Sequence, residues 1–182
     1  MSTVKYILAL TTLLLAFGLV HRDWADPFSA VQDGLTPDSS AVKIKLVPPD
    51  ILVLSKGKPY KFTDRVRVRI VVTNNSNAAI RALLQDTYYQ NRPKLYKDHH
   101  LVPYRQEIAK LVVSKDTDPQ FVRVGSTVVL EPTTTTDLEE LNLSDWYDPL
   151  KPGSYRLINR HRFALDGPWS DDSEELLFEV AE

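Results

Sequence analysis

Three groups of side chains have the types that could do chemistry. Asp98-His99-His100 offers imidazole and carboxylate, the ligands of zinc or copper sites. Adjacent residues on a strand point to opposite faces and no third or fourth ligand can be assigned, so an exposed loop is expected there. Asp137, Glu139, Glu140, Asp145 and Asp148 form an acidic region of the kind whose oxygens take calcium. Without an Asp-x-Asp-x-Asp-Gly spacing it reads as a solvated loop. Ser170-Asp171-Asp172 together with His161 contains the residue types of a hydrolytic triad. It lacks the Gly-x-Ser-x-Gly elbow, and nothing in the sequence places these groups within hydrogen-bond reach. His21, at the edge of an apolar run, could ligate a haem or pigment in a larger assembly, but reads as an interfacial histidine. Phosphate-binding glycine loops and a His-Glu-x-x-His helix are absent. The expectation is a protein with no enzymatic activity, no cofactor and no metal.

Composition narrows the partners. The chain has 182 residues, 22 Lys+Arg against 24 Asp+Glu, and no cysteine. With a formal charge of −2 it has no excess of cations to neutralise a phosphate backbone, so nucleic acid is not an expected partner. The lack of cysteine removes disulfides, thiolate metal sites and catalytic thiols. At this length one ordinary domain with a short appendage is expected.

The appendage is the apolar run Tyr6 to Val20, preceded by Lys5 and followed by His21-Arg22-Asp23-Trp24. A cleaved signal peptide needs a small-residue site, and the best candidate, Ala16-Phe17-Gly18, would cut inside the apolar run. A retained anchor is helped by its flanks, because Lys5 can snorkel and Tyr6 and Trp24 are aromatics that settle at headgroup level. Eighteen residues of helix between those rings span roughly 27 Å, close to the hydrocarbon thickness. Residues 1–24 are therefore expected to be a transmembrane anchor, with Tyr6, Phe17 and Trp24 as its membrane-facing aromatics and the rest of the chain periplasmic. Thr11, Thr12, Ala16 and Gly18 are small or hydroxylated positions that would admit a neighbouring helix. Residues 25–40, with two prolines and three aspartates, read as a linker.

From residue 41 the pattern has period two. Val42, Ile44 and Leu46 alternate with Lys43 and Lys45, and Val66, Val68, Ile70 and Val72 alternate with Arg65, Arg67 and Arg69. Further strands are expected over Ile51–Leu54, Ala78–Tyr89, Phe121–Val124, Thr127–Leu130, Ser154–Phe163 and Leu176–Val180, with residues 91–119 open between helix and strand. About seven short strands in some 140 residues predict an all-β, antiparallel sandwich over residues 41–182.

Leu150-Lys-Pro-Gly-Ser-Tyr-Arg-Leu157 resembles the Gly-x-Tyr-x-Cys approach to strand F in immunoglobulin-like and fibronectin type III-like domains. The resemblance covers roughly the last third of the chain. It implies an immunoglobulin-like β-sandwich in which Tyr155, following Gly153, is the tyrosine whose hydroxyl bonds back to upstream backbone. Leu157 stands where antibody domains carry cysteine, so bacterial extracytoplasmic modules of that superfamily fit better.

Charges on the strand faces add a partner expectation. Arg156, Arg160 and Arg162 can pair with acids of the last strand, but Lys43, Lys45, Arg65, Arg67 and Arg69 form a basic stripe with only Glu131 expected opposite. Such a stripe would dock an acidic protein surface or anionic lipid headgroups. Together these readings predict a single-span, extracytoplasmic accessory subunit of a larger membrane complex of respiratory or photosynthetic type. The alternative is a secreted or periplasmic binding module with its leader removed.

Overall fold

The computed structural model describes residues 41–48, 65–118 and 125–181, with the backbone alone of residues 60–62. All of these fall in the compact unit Leu35–Glu182. The expected anchor, with Tyr6, Phe17, His21 and Trp24, lies outside the described residues, as do the strands expected over Ile51–Leu54 and Phe121–Val124. Among the described residues no helix is long and apolar enough to cross a membrane.

The described residues are β-rich with few helices. β1 (Val42–Val47) pairs antiparallel with β3 (Arg67–Asn74), which pairs on its other side with β8 (Thr135–Asn142). The alternation in β1 and β3 sets this up: Val68, Ile70 and Val72 are fully buried while Arg67 points out. β4 (Ile80–Leu84) and β7 (Ser126–Leu130) form a separate antiparallel pair. The largest sheet has the order β2 (Tyr60–Phe62), β10 (Leu176–Val180), β9 (Gly153–Ile158), β5 (Lys94–Lys97), β6 (His100–Val102), with β2 parallel to β10 and the other pairs antiparallel. One apolar cluster joins the sheets, taking Val68 and Ile70 from β3, Leu95 from β5, Leu157 from β9 and Phe178 from β10.

Several sequence expectations are corrected. The strand expected over Ala78–Tyr89 stops at Leu84, because the Asp86 side chain accepts from the amides of Tyr88 and Tyr89 and starts α1 (Thr87–Gln90). Residues 91–119 hold β5, β6 and α2 (Gln106–Thr117), the last packed on the core through Ile108 and Val112. The strand expected to reach Phe163 ends at Ile158, where the chain turns Asn159 and His161 into the interior. The acidic region expected to be a solvated loop contains a full strand, β8. A bulge opposite Ile70/Val71 makes Leu138 an extra residue, which breaks the two-residue period and hides the strand from pattern reading.

The turn into β9 is held locally. Gly153 has φ of 142°, a conformation side-chain-bearing residues rarely adopt, and a Cβ there would meet the Lys97 tail at 3.0 Å. Tyr155 stacks on Phe178 at 5.4 Å and donates its hydroxyl hydrogen to the Lys151 carbonyl at 2.7 Å. Tyr155→Phe is expected to lower the unfolding free energy by about 1 kcal/mol, measured by urea denaturation, since it deletes one hydrogen bond without changing the packing.

Candidate functional site

The polar groups of the interior converge where the β8 bulge faces the end of β9. The bulge leaves Glu139 opposite Ile70, on the inward face. The chain leaving α1 brings Asn91, and the chain leaving β9 brings Asn159 and His161; all three are fully buried. The Asn91 amide nitrogen donates to Glu139 Oε1 at 2.6 Å and to Thr87 Oγ1 at 3.2 Å. Its amide oxygen accepts from Asn159 Nδ2 at 2.8 Å and contacts His161 Nδ1 at 3.0 Å. An amide oxygen can only accept, so the histidine carries its proton on Nδ1. Nε2 then presents a lone pair, buried without a hydrogen-bond partner, and the ring edge meets Phe163 at 4.8 Å.

Electrostatics follow from burial. Loss of solvent lowers the His161 pKa to about 3, which makes the ring neutral at ordinary pH. Burial raises the Glu139 pKa, and the hydrogen bond from Asn91 acts against that rise. Glu139 Oε1 is 3.6 Å from His161 Nδ1, so a neutral ring keeps this contact from being a buried ion pair. Main-chain bonds fix the cluster: the His161 amide donates to Ser170 Oγ at 2.9 Å, and the Asn159 amide donates to Ser173 Oγ at 3.0 Å. The arrangement ties β8, the start of β5 and the end of β9 into one unit.

Beside it Trp169 gathers three guanidiniums. Arg162, Arg92 and Arg160 lie 4.4, 4.7 and 5.6 Å from its ring centre, and Arg162 is also 4.4 Å from the ring centre of Tyr89. Arg92 is buried, pairs with Asp116 at 2.5 Å and donates to the Tyr88 and Asn91 carbonyls at 2.6 Å each. Burial lowers its pKa, and Asp116 opposes that. Arg160 faces Asp172 at 3.7 Å, and the same carboxylate takes Lys94 at 3.1 Å.

The residues singled out in the sequence are distributed differently. Ser170 and His161 do meet, but through the histidine's main-chain amide; the ring faces Asn91, and Asp172 faces Lys94 and Arg160. Asp98 and His99 form the turn between β5 and β6, both at positive φ, with His100 opening β6. Among the described residues no group of three His, Asp or Glu could hold a metal. The basic stripe is corrected in its premise, because β8 and the approach to β10 supply the missing acids. Arg69 reaches Asp137 at 2.7 Å, Arg67 reaches Glu140 at 3.5 Å and Lys43 reaches Glu174 at 2.6 Å. Lys45 stands across from Val71, and Arg65 is exposed just before β3. Asn91 and Trp169 were not foreseen as site residues, and Glu139 was singled out only as one of the acids of a calcium-type region, not as a partner of His161. The one signal for them lies in the alternation of the expected Ser154–Phe163 strand: if Tyr155, Leu157 and Phe163 face inward, Asn159 and His161 share their face and require polar company in the core.

No family model matches the chain, and no curated protein matches it. Solved structures do. A β-glucosidase from Listeria innocua matches at 12% identity and a TM-score of 0.35, covering 78% of this chain and 16% of that one. A β-glucosidase from Erythrobacter marinus matches at 14% identity and a TM-score of 0.37, covering 77% and 16%. The solved chains named here are β-glucosidases, and the expectation of a protein with no enzymatic activity is not kept. The chain spans about one sixth of their length, and a likeness of this strength does not carry their activity across.

Proposed function

We propose that residues 41–182 form an immunoglobulin-like β-sandwich, held on the outer side of the cytoplasmic membrane by residues 1–24, and that the chain is an accessory subunit of a larger membrane protein assembly. The strand order supports the first part. β1-β3-β8 and β10-β9-β5-β6 correspond to A-B-E and G-F-C-C′ of that architecture, and the Tyr155 hydroxyl bond to Lys151 matches its tyrosine corner. The observation that carries the second part is the run Tyr6 to Val20 between Lys5 and Trp24, placed ahead of a linker and a compact β-rich unit. Such a tether would keep the domain beside what lies in and above the bilayer.

Mass spectrometry of the mature N-terminus, with detergent extraction and identification of co-migrating proteins, tests the reading. An intact Tyr6–Val20 segment and a membrane protein that co-purifies through two columns are expected. A new terminus near Leu19 on a protein released without detergent would overturn it in favour of a free periplasmic binding module.

A further inference from the structure

The outer face of the five-stranded sheet carries a row of residues in register across four strands: Leu177 on β10, Arg156 on β9, Tyr96 on β5 and Leu101 on β6. The matching inward row, Leu176, Leu157, Leu95 and Val102, belongs to the core. The two leucines that end the outer row are 56% and 60% exposed, unusual for large apolar residues on a sheet whose other outward positions are mainly polar. Arg156 lies 4.3 Å from the ring centre of Tyr96 and pairs with Glu175 at 2.7 Å, so the row has no net charge. A shallow depression of about 370 Å³ lies alongside, lined by Tyr96, Arg156, Leu177 and the Asp98-His99 turn. At about 4.8 Å per strand the row is about 14 Å long.

We propose that this face is a self-association surface whose occupant is a second copy of the chain, packed face to face about a two-fold axis parallel to the strands. The order Leu-Arg-Tyr-Leu is its own complement. An axis passing between Arg156 and Tyr96 lays β10 over the second copy's β6 and β9 over its β5. Leu177 then meets Leu101 twice, and each Arg156 meets the other copy's Tyr96 while Glu175 balances its charge. A heterologous partner would place no such demand on the reversed row, yet all four positions satisfy it. With only two exposed leucines per copy to bury, the dimer is expected to be weak and concentration-dependent. The inference does not depend on membrane anchorage.

The chain has no cysteine, so full-length Leu101→Cys and Leu177→Cys chains each carry one thiol. Mixed in mild detergent, they are treated with a bis-maleimide of about 8 Å reach, shorter than the about 14 Å between like positions of a dimer. The mixed product, in which a Leu101→Cys chain is joined to a Leu177→Cys chain, is expected to exceed either like-with-like product roughly fivefold. A Leu101→Asp/Leu177→Asp chain is expected to stay folded and monomeric by light scattering. Like-with-like products in equal yield, or no dimer across a concentration series, would overturn the proposal. Neither result bears on whether the N-terminus is retained.

Discussion

Asn91→Leu is expected to lower the unfolding free energy by about 3–6 kcal/mol, a large share of the 5–15 kcal/mol that a domain of this size has in total. The substitution keeps the four-heavy-atom branched shape, though with a bulkier tip, and removes four contacts, those to Glu139, Thr87, Asn159 and His161. What makes it costly is the company left behind. The Asn159 amide and the His161 Nδ1 hydrogen lose their acceptor and Glu139 loses its donor, all away from water, at about 1–3 kcal/mol for each unsatisfied group. Glu139→Gln provides the contrast. It keeps an acceptor for Asn91 and removes a carboxylate whose charge burial already disfavours, so its effect should stay within about 1 kcal/mol of zero. Urea denaturation followed by far-ultraviolet circular dichroism measures both. A cost below about 1 kcal/mol for Asn91→Leu would mean that the cluster is solvated or rearranges freely, contrary to its burial.

Where one face of a strand is buried and the other exposed, the sequence was legible. β1, β3, β7 and β10 were read close to their observed bounds, because Val42-Ile44-Leu46 and Val68-Ile70-Val72 leave only one face for the core. β8 was missed for the complementary reason. Its inward positions are Glu139 and Leu141, with Leu138 inserted by the bulge, so no apolar alternation survives and the carboxylates dominate the reading. That one omission propagated. With β8 taken as a loop, Arg67 and Arg69 had no acids opposite them and looked like a docking surface, whereas Glu140 and Asp137 stand on the neighbouring strand. β5 and β6 were illegible because each is four residues or fewer, joined by a two-residue turn of Asp98 and His99. In the candidate site the inward phase of His161 could be read, but not its partners, since Asn91 and Glu139 lie 70 and 22 residues away in sequence and only the tertiary fold joins them.

Acid is expected to destabilise the domain through His161, and the sign can be worked out. The folded pKa of about 3 lies below the ordinary value of 6.5, so between these limits the unfolded chain binds a proton that the folded one refuses. Stability from this group is present above pH 6.5 and is lost as pH falls, at about 1.4 kcal/mol per unit once the unfolded histidine is fully protonated. Glu139 works in the opposite sense. Its folded pKa is raised above 4.5, so its contribution is fully present below that value and is lost as pH rises through the folded pKa. The decline should therefore begin near pH 6.5 under His161 alone and flatten where Glu139 takes up its proton. His161→Phe, which keeps a ring against Phe163, removes the titrating group while leaving His21, His99 and His100 in place. The variant will be less stable at every pH, because Asn91 loses a donor. The informative quantity is the slope of unfolding free energy against pH between about 6 and 5, expected to be steeper in the natural chain by about 1 kcal/mol per unit. Equal slopes in the two proteins would show that the imidazole titrates freely and that the histidine is not held neutral in a dry core.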